Sequence, residues 1–275
     1  MTASSQPELV FLKLGGSLVT DKAATVATPR PALIERIATE IRTALDERPN
    51  LRLVVGHGSG SYGHQAADQF GTHTGVHSRA DWRGFAEVAA VAARLNSLVL
   101  EALHAAGLPV FRVQPSASAV CEDGRVISMA LEPLLAALDG GLVPLVYGDV
   151  AVDRVRGGTI ISTETVLTAI AQAAPPRRIL LAGDFDGVED AEGRIVPLIT
   201  PSTFPALRSA LGGSAQTDVT GGMAAKVESM LALCQSAPGL DVHIFNGAPA
   251  NAVRAALLGD ASAGGTHITA EEGTG

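Results

Sequence analysis

Short apolar runs alternate with longer amphipathic segments along nearly the whole chain of 275 residues. The runs are typical of buried strands, and the longer segments indicate helices. Parallel strands need long crossover connections, so the alternation predicts an α/β fold: a three-layer sandwich with a central, mainly parallel sheet and helices on both faces. The predicted strands are residues 9–14, 51–55, 108–113, 142–147, 178–182, 241–245 and 267–269. The predicted helices are residues 31–45, 81–106, 133–138, 163–174, 223–234 and 251–258, and a small β-excursion is predicted over residues 187–199.

Composition narrows the class of protein. The 28 acidic and 20 basic side chains give a net charge of −8, whereas binding to nucleic acid or to an anionic bilayer needs a basic face. The two cysteines cannot build a disulfide framework, and we expect them to be reduced and buried. Residues 1–8 lack the layout of a signal peptide, and no apolar run is long enough to span a membrane. We therefore expect a cytoplasmic enzyme with a single domain over residues 1–275 and no nucleic-acid or membrane partner.

Three glycine-rich turns stand where a ligand site is expected. They are Gly15-Gly16-Ser17, residues 56–63, and Gly221-Gly222 ahead of a predicted helix. Glycine lets the backbone approach an anion closely, and the N–H groups at a helix N-terminus point toward it. In parallel α/β sheets, ligands bind beyond the carboxyl ends of the strands. The three turns together predict a site for a phosphate chain.

The chain has only three lysines, and each one flanks a glycine turn. Lys13 precedes the first turn, Lys22 follows it, and Lys226 lies on the helix that begins after Gly222. Mobile ammonium donors around a phosphate chain suit phosphoryl transfer, because the charge on the transferring group must be neutralised. The lysines therefore predict an enzyme that moves a phosphoryl group.

The histidines are less informative. His64 closes the second glycine turn, where its imidazole can donate a hydrogen bond to a phosphate or can merely cap a following helix. The residues alone leave both interpretations open. His73 and His77 are four positions apart, but no glutamate completes a zinc-protease motif, so we expect loop or surface residues. No metal-ligand set is predicted.

Two common nucleotide-binding motifs are disfavoured. Gly58, Gly60 and Gly63 have the spacing of the dinucleotide fingerprint, but residues 65–80 are polar and show no second strand. This argues against a nicotinamide-dependent oxidoreductase. The phosphate loop of P-loop ATPases needs a Gly-Lys dipeptide, which the sequence lacks. A nucleotide therefore has to bind through another architecture.

With these motifs the sequence resembles the amino acid kinase superfamily and, within it, the isopentenyl phosphate kinases. The resemblance runs from residue 11 to about residue 268. It rests on Lys13-Leu14-Gly15-Gly16-Ser17 with Lys22, the loop from His57 to His64, Tyr147-Gly148-Asp149-Val150, residues 157–164, Asp186-Gly187-Val188, and Asp218-Val219-Thr220-Gly221-Gly222-Met223 with Lys226. The first and last of these motifs mark the superfamily. The loop histidine marks the branch that phosphorylates small phosphates or phosphonates.

The resemblance implies a homodimeric kinase that uses ATP and Mg²⁺ to convert isopentenyl phosphate to isopentenyl diphosphate in isoprenoid biosynthesis. Its N-terminal half would bind the acceptor and its C-terminal half the nucleotide. The implied catalytic residues are Lys13, Lys22 and His64, and Glu164 would orient the lysines. The implied ATP-binding residues are Lys13, Gly15, Gly16, Ser17, Gly60, Asp184, Glu189, Gly222 and Lys226. The implied acceptor-binding residues are Ser59, His64, Ser162 and Thr163.

The sequence departs from the family pattern at three places. Ser59 stands at a glycine of the histidine loop, Thr163-Glu164 stands where Gly-Asp is frequent, and Glu189 stands where tyrosine is frequent. Glu164 supplies the acid with a longer reach. Two other functions stay open at this point: a related small phosphate or phosphonate kinase, such as a fosfomycin kinase, and a non-catalytic nucleotide-binding regulator.

The five-carbon tail of isopentenyl phosphate needs an apolar pocket. The predicted helix 81–106 offers a wall for that pocket, but its apolar residues also have the spacing of core residues. The candidate wall residues are Phe85, Val88, Val91, Ala92 and Leu95.

Overall fold

The structure is a computed structural model that describes residues 7–21, 24, 28–211 and 222–270, with the side chains of residues 64, 65, 67–69, 73 and 209–211 left out. The strands in this part of the chain are β1 (Glu8–Leu14), β2 (Thr20–Asp21), β3 (Thr28–Pro29), β4 (Leu51–His57), β5 (Val110–Arg112), β6 (Ala119–Glu122), β7 (Arg125–Met129), β8 (Val143–Tyr147), β9 (Asp149–Asp153), β10 (Gly157–Ile161), β11 (Arg178–Gly183), β12 (Leu198–Ile199), β13 (Asp241–Asn246) and β14 (Thr266–Ile268). The α-helices are α1 (Gly16–Val19), α2 (Pro31–Glu47), α3 (Gly60–Phe70), α4 (Arg79–Ala105), α5 (Glu132–Asp139), α6 (Thr163–Ala173), α7 (Phe204–Leu211), α8 (Gly222–Ser236) and α9 (Ala252–Leu258).

A large sheet of eight strands forms the centre of the molecule. Its order is β12-β14-β13-β11-β1-β4-β8-β5, and neighbouring strands pair in parallel except β13 and β14. Strand β1 lies between β4 and β11, and the chain forms the strands on the β4 side (β4, β5 and β8) before those on the β11 side (β11 to β14). The predicted central, mainly parallel sheet is therefore confirmed.

Side chains of the central strands alternate between two hydrophobic cores, as the two-residue period of a strand requires. On β1, Phe11 lies in one core and Leu12 in the other, and on β11 Ile179 and Leu180 divide in the same way. Helices α5, α6, α7 and α8 cover the first face, and α1, α2, α4 and α9 cover the second. The three predicted layers follow from this division.

Most predicted elements agree with the structure to within about two residues at each end. The two-residue difference at the start of α4 has a clear physical reason. Ser78 accepts a hydrogen bond from the Asp81 backbone N–H, and the Asp81 carboxylate accepts one from the Ser78 N–H. This capping box fixes the start of α4 two residues before the predicted position.

Several elements were not predicted. The helix α3 occupies residues that the sequence assigned to a glycine turn and a polar loop, and its two glycines explain the weak signal. Helix α7 was also missed. The β-excursion predicted over residues 187–199 is reduced to one bridge between Glu189 and Ile195 and the two-residue strand β12.

A second sheet, in the order β10-β9-β6-β7, was missed as well. Its outer strand β7 leaves most of its residues exposed or half-exposed, so it carries no strong apolar alternation. The carboxylate of Asp153 joins the two turns of this sheet. It accepts backbone hydrogen bonds from Asp123 (3.1 Å) and Gly124 (2.7 Å) in one turn, and from Val155 (2.9 Å) and Arg156 (2.8 Å) in the other.

Both cysteines, Cys121 and Cys234, are free thiols and are buried, as the sequence predicted. Burial raises the pKa of Cys121 to about 11 and that of Cys234 to about 12, so neither thiol is ionised near neutral pH.

Helix α4 is, by length and composition, long and apolar enough to cross a membrane. Leu95, Val99 and Leu103 of this helix are buried in the core on the second face of the sheet. A core helix meets the same criteria, so the length and composition of α4 are weak evidence for a membrane span.

We predict that Asp153→Ala destabilises the protein by roughly 3 kcal/mol, because four backbone N–H groups lose their acceptor. Urea unfolding measures the change. The control is Asp139→Ala, since Asp139 is exposed and its ion pair with Arg52 contributes little. An equal, small loss in both variants would contradict the role of Asp153.

Candidate active site

A cleft opens beyond the carboxyl end of β1, where the sheet order switches sides and where α/β proteins commonly bind ligands. It has a volume of about 1050 Å³, part of which is open to solvent. The lining comes from glycine turns, charged side chains and an apolar end. The lining residues are Lys13, Gly15, Gly16, Ser17, Gly58, Ser59, Gly60, Gly63, Val88, Ala92, Gly148, Asp149, Ile160, Ile161, Ser162, Thr163, Glu164, Leu181, Ala182, Phe185 and Lys226.

Two of the predicted glycine turns meet in this cleft. The backbone N–H of Gly15 donates to Ala182 (2.7 Å), and that of Gly58 donates to Leu14 (2.9 Å), which ties both turns to the ends of β1 and β11. Gly16 and Gly60 face each other so closely that a Cβ atom on Gly16 would lie 2.5 Å from the Gly60 Cα. Glycine is therefore required at this contact because no side chain fits between the turns.

Lys13 and Lys226 share one carboxylate oxygen. The Lys13 Nζ lies 2.7 Å and the Lys226 Nζ 3.5 Å from Oε1 of Glu164. Burial by itself would raise the pKa of Glu164, but the two ammonium groups outweigh burial and lower the pKa to about 2. The Lys226 Nζ also lies 5.8 Å from the ring centre of Phe185. These three side chains, two ammonium groups and one carboxylate, carry one net positive charge between them, which suits an anionic ligand.

The N-terminus of α6 carries Glu164 into the cleft. Ser162 caps this helix by accepting a hydrogen bond from the Thr165 backbone N–H at 3.0 Å. The buried Thr163 hydroxyl donates to the carbonyl oxygen of His57 at 2.6 Å. Helix N-termini favour anions, so α6 adds to the positive potential around the lysines.

His57 is a buried residue at the end of β4, directly before the cleft-lining Gly58, and the sequence assigned it no role. Its ring stacks on Tyr147 with the ring centres 5.7 Å apart. Its Nδ1 lies 3.0 Å from the Gly58 carbonyl oxygen, and its Nε2 lies 3.0 Å from the Asn96 amide nitrogen. Nδ1 therefore carries the proton and Nε2 accepts, and burial is the main cause that lowers the pKa of His57 to about 4. Asn96 is fully buried and its contact with His57 spans 39 positions in sequence, so no local pattern identified it.

Asp149 lines the cleft but has its oxygens occupied. It accepts hydrogen bonds from the backbone N–H groups of Ser116 (3.1 Å) and Val150 (2.8 Å). Burial raises its pKa, and the hydrogen bonds act in the opposite direction. Its geometry is that of a residue that holds the segment before β6 against β9.

The remaining predicted residues fall into two groups. Gly222 lines an adjoining pocket together with Ser162, Glu164 and Lys226. Asp184 and Glu189 are exposed and are not among the residues that line the cleft.

Two predicted catalytic residues, Lys22 and His64, lie wholly or partly outside the described residues. Lys22 lies outside the described residues, as does the segment 212–221. The backbone of His64 lies in α3, but its side chain is outside the described part of the structure.

The apolar end of the cleft is built by helix α4 and strand β10. Val88, Ala92, Ile160 and Ile161 line it. Of the other predicted wall residues, Phe85 and Val91 are half-buried beside Val88, whereas Leu95 lies entirely in the core and is not part of the wall. The face of α4 toward the cleft is therefore shorter than the sequence suggested.

A lysine-rich, glycine-lined cleft at the switch point of a parallel sheet defines an α/β enzyme that binds phosphate groups. The chain belongs to the amino acid kinase family, whose model matches residues 8–246. This confirms the family that the motifs predicted.

Similar proteins carry a more specific name. The isopentenyl phosphate kinase of Methanothermobacter thermautotrophicus is 34% identical over 273 residues, which cover 95% of this chain and 99% of that protein. The isopentenyl phosphate kinase of Haloferax volcanii is 37% identical over 239 residues, covering 86% and 91%. A solved structure of an isopentenyl phosphate kinase superposes with a TM-score of 0.78 at 29% identity, covering 94% of this chain and 100% of the other.

We predict that His57 makes the protein sensitive to acid. Unfolded chains protonate histidine near pH 6.5, whereas folded His57 stays neutral down to about pH 4, so its contribution to stability is lost as pH falls through this window. The loss is roughly 3 kcal/mol. Urea unfolding from pH 7 to pH 4 should show this slope in the wild type and a shallower one in His57→Gln.

His267→Gln is the matched control, because its hydrogen bond with Asp241 raises the pKa of His267. That contribution is present at low pH and is lost as pH rises, which is the opposite dependence. If His57→Gln keeps the full wild-type slope below pH 6.5, the buried neutral state of His57 is refuted.

Proposed function

We propose that the protein is an ATP-dependent kinase that transfers a phosphoryl group to isopentenyl phosphate and forms isopentenyl diphosphate. The observation that carries the proposal is one cleft with Lys13 and Lys226 on a shared carboxylate at one end and an apolar wall at the other. A phosphate that bears a short hydrocarbon tail matches both ends. The two relatives described above, which are isopentenyl phosphate kinases, align over most of this chain and support the same assignment.

Charge explains what the side chains do. Both reactants are anionic, so the barrier consists largely of repulsion and misalignment, and catalysis needs cations and positioning. The acceptor atom is a phosphate oxygen, which is largely deprotonated near pH 7 and needs no strong general base. Lys13 neutralises the phosphates of ATP, and Glu164 holds its ammonium group in place. Lys22 neutralises the transferring group, and His64 donates a hydrogen bond to the acceptor phosphate.

The nucleotide occupies the side of β1 that leads to β11. Gly15, Gly16 and Ser17 contribute backbone N–H groups to its phosphates, and Gly60 lies against the outer phosphates. Gly222 and Lys226 complete the phosphate side, while Asp184 and Glu189 lie beside the rest of the nucleotide. We assign ATP mainly to the C-terminal half of the single domain and the acceptor mainly to the N-terminal half, with the glycine turns contributing to the ATP phosphates and the start of α6 to the acceptor phosphate.

Mg²⁺ fits this site through the substrate. In the described ranges no group of three or more His, Cys, Asp or Glu side chains could hold a metal ion. The two carboxylates that line the cleft, Asp149 and Glu164, are already engaged by backbone N–H groups and lysines. Mg²⁺ commonly binds through substrate phosphates and water, and it would supply neutralising charge there.

The acceptor phosphate lies between the second glycine turn and α6. Ser59 lines the cleft from the turn, and Ser162 and Thr163 line it from the N-terminus of α6. The hydrocarbon tail packs on Val88 and Ala92 of α4. A fosfomycin kinase and a non-catalytic regulator are not favoured, because the reported relatives carry the name of neither.

The proposal predicts release of ADP that depends on both isopentenyl phosphate and Mg²⁺, measured by a coupled ADP assay. Glu164→Gln should lower kcat roughly 10- to 100-fold because the lysines lose their orienting charge. The control is Glu132→Gln, an exposed change on α5 that leaves turnover unaltered. Turnover with fosfomycin but not with isopentenyl phosphate would refute the acceptor, and ATP binding without any turnover would refute the kinase.

We also propose that the protein is a cytoplasmic homodimer that assembles through the outer edge of the large sheet. Strand β5 ends that sheet, and Phe111 on β5 is 36% exposed and Leu98 on the adjoining α4 is 39% exposed. Light scattering should give twice the chain mass of 28.1 kDa. Phe111→Asp should give a monomer, and Val155→Asp, on an exposed turn of the small sheet, should not. A monomeric wild type or a dimeric Phe111→Asp variant would contradict this edge as the interface.

A further inference from the structure

We propose that Thr20 is a positioning residue that locks the two substrate-holding glycine turns together, so that its hydroxyl sets the distance between the phosphoryl donor and the acceptor. The inference rests on the proposed function, because it takes the first turn as a contact of the ATP phosphates and Ser59 of the second turn as a contact of the acceptor phosphate. Thr20 lies outside the residues that line the cleft, and its side chain is fully buried.

The Thr20 hydroxyl makes one hydrogen bond to each turn. It donates to the Gly16 carbonyl oxygen at 2.8 Å and accepts from the Ser61 backbone N–H at 3.0 Å. The Gly16 carbonyl also accepts from the backbone N–H of Thr20. One buried side chain therefore links the first turn to a residue 41 positions after Thr20 in sequence.

The hydrogen bond from the Ser61 N–H to Thr20 caps the N-terminus of α3 with a side chain from strand β2. Helix α3 begins at Gly60, and its own N-cap residue, Ser59, makes no side-chain capping hydrogen bond. The first N–H groups of a helix have no partner within the helix, so each one needs an acceptor elsewhere. Thr20 supplies that acceptor for Ser61. The position of the N-terminus of α3, and of the turn before it, thus depends on Thr20.

Thr20 packs tightly between the two glycine turns. A Cβ atom on Gly60 would lie 2.0 Å from the Thr20 Oγ1 and 2.7 Å from the Gly16 carbonyl oxygen. Gly60 also has φ of +51°, a left-handed conformation that glycine adopts readily. With the hydroxyl bonded on both sides, the two turns cannot slide past each other without breaking a hydrogen bond. Their spacing is consequently fixed before either substrate binds.

This spacing matters because phosphoryl transfer requires an in-line approach of the two reactants. A misplacement of about 1 Å can cost about 100-fold in rate. Each turn keeps its own backbone groups when the hydroxyl is removed, so each substrate still binds alone. Loss of the Thr20 hydroxyl should therefore lower kcat far more than it raises either KM.

The test compares Thr20→Val, which keeps the side-chain shape and removes the hydroxyl, with Thr20→Ser, which keeps the hydroxyl. Active sites are counted by calorimetric titration with a non-hydrolysable ATP analogue, so that misfolded protein does not enter kcat. We expect Thr20→Val to lower kcat about 10- to 100-fold with both KM values within about twofold, and Thr20→Ser to restore most of the rate.

The matched control is Thr266→Val. The Thr266 hydroxyl is also buried and accepts a backbone hydrogen bond, from Val188 at 2.8 Å, but it lies on β14 near the opposite edge of the sheet. It loses the same kind of interaction without touching either turn, so kcat per site should stay unchanged. Equal losses of kcat in both variants, a rise in KM that matches the fall in kcat, or a Thr20→Ser variant as slow as Thr20→Val would overturn the inference.

Amide hydrogen exchange separates this inference from the proposed function. Without any substrate, Thr20→Val should lose protection at the Ser61 amide, and Thr20→Ser should keep it. A wild type that exchanges Ser61 as fast as Thr20→Val overturns the lock, whereas a wild type without turnover on isopentenyl phosphate overturns the proposed function alone. If Thr20→Val does not fold, hydrogen exchange of the wild-type protein provides the test. Equal free energies of opening for the Thr20 and Ser61 amides support the lock, and unequal free energies refute it.

Discussion

The ionic contact of Glu164 with Lys13 and Lys226 is the constraint on which the cleft depends. A buried carboxylate is stable only when it is paired, and a buried ammonium group has the same need. The sheet meets both needs by bringing Lys13 at the end of β1 to 2.7 Å from a residue 151 positions away at the start of α6. Lys226 arrives from α8 on the same side. Because one oxygen serves two cations, this group of three side chains keeps one net positive charge before any phosphate enters the cleft.

Most of the fold could be predicted from the sequence because a parallel sheet covered on both faces leaves an unambiguous pattern. Its strands are continuous apolar runs, and its helices show one apolar face. The small sheet could not be predicted in this way, since β7 is largely exposed. Helix α3 was hidden by Gly60 and Gly63, and its N-terminus is held by a side chain from β2 instead of by its own capping residue. Exposure hid the first of these elements, and a contact distant in sequence fixes the start of the second.

The residues of the candidate site likewise differ in whether the sequence could identify them. The glycine turns and the three lysines were identifiable because they are conspicuous in composition and position. Asn96 and Thr20 were not, since each lies among other polar residues and has its partner about 40 positions away in sequence. Asp184 and Glu189 were assigned from the family resemblance alone, and both are exposed. Residues that contact a ligand are thus easier to identify from local sequence than the residues that hold them in position.

Helix α4 has a further consequence for how such a protein can change. Its 27 residues form a rod about 40 Å long. Val88 and Ala92 form part of the apolar end of the cleft, Asn96 reaches His57 one turn later, and Leu98 emerges at the outer edge of the sheet. A substitution that tilts α4 therefore changes three features at once: the depth of the apolar pocket, the hydrogen bond from Asn96 to His57, and the surface at the outer edge of the large sheet. Adaptation to a longer or shorter hydrocarbon is therefore easiest at single side chains that line the pocket, such as Ile160 on β10, which leave the axis of α4 in place.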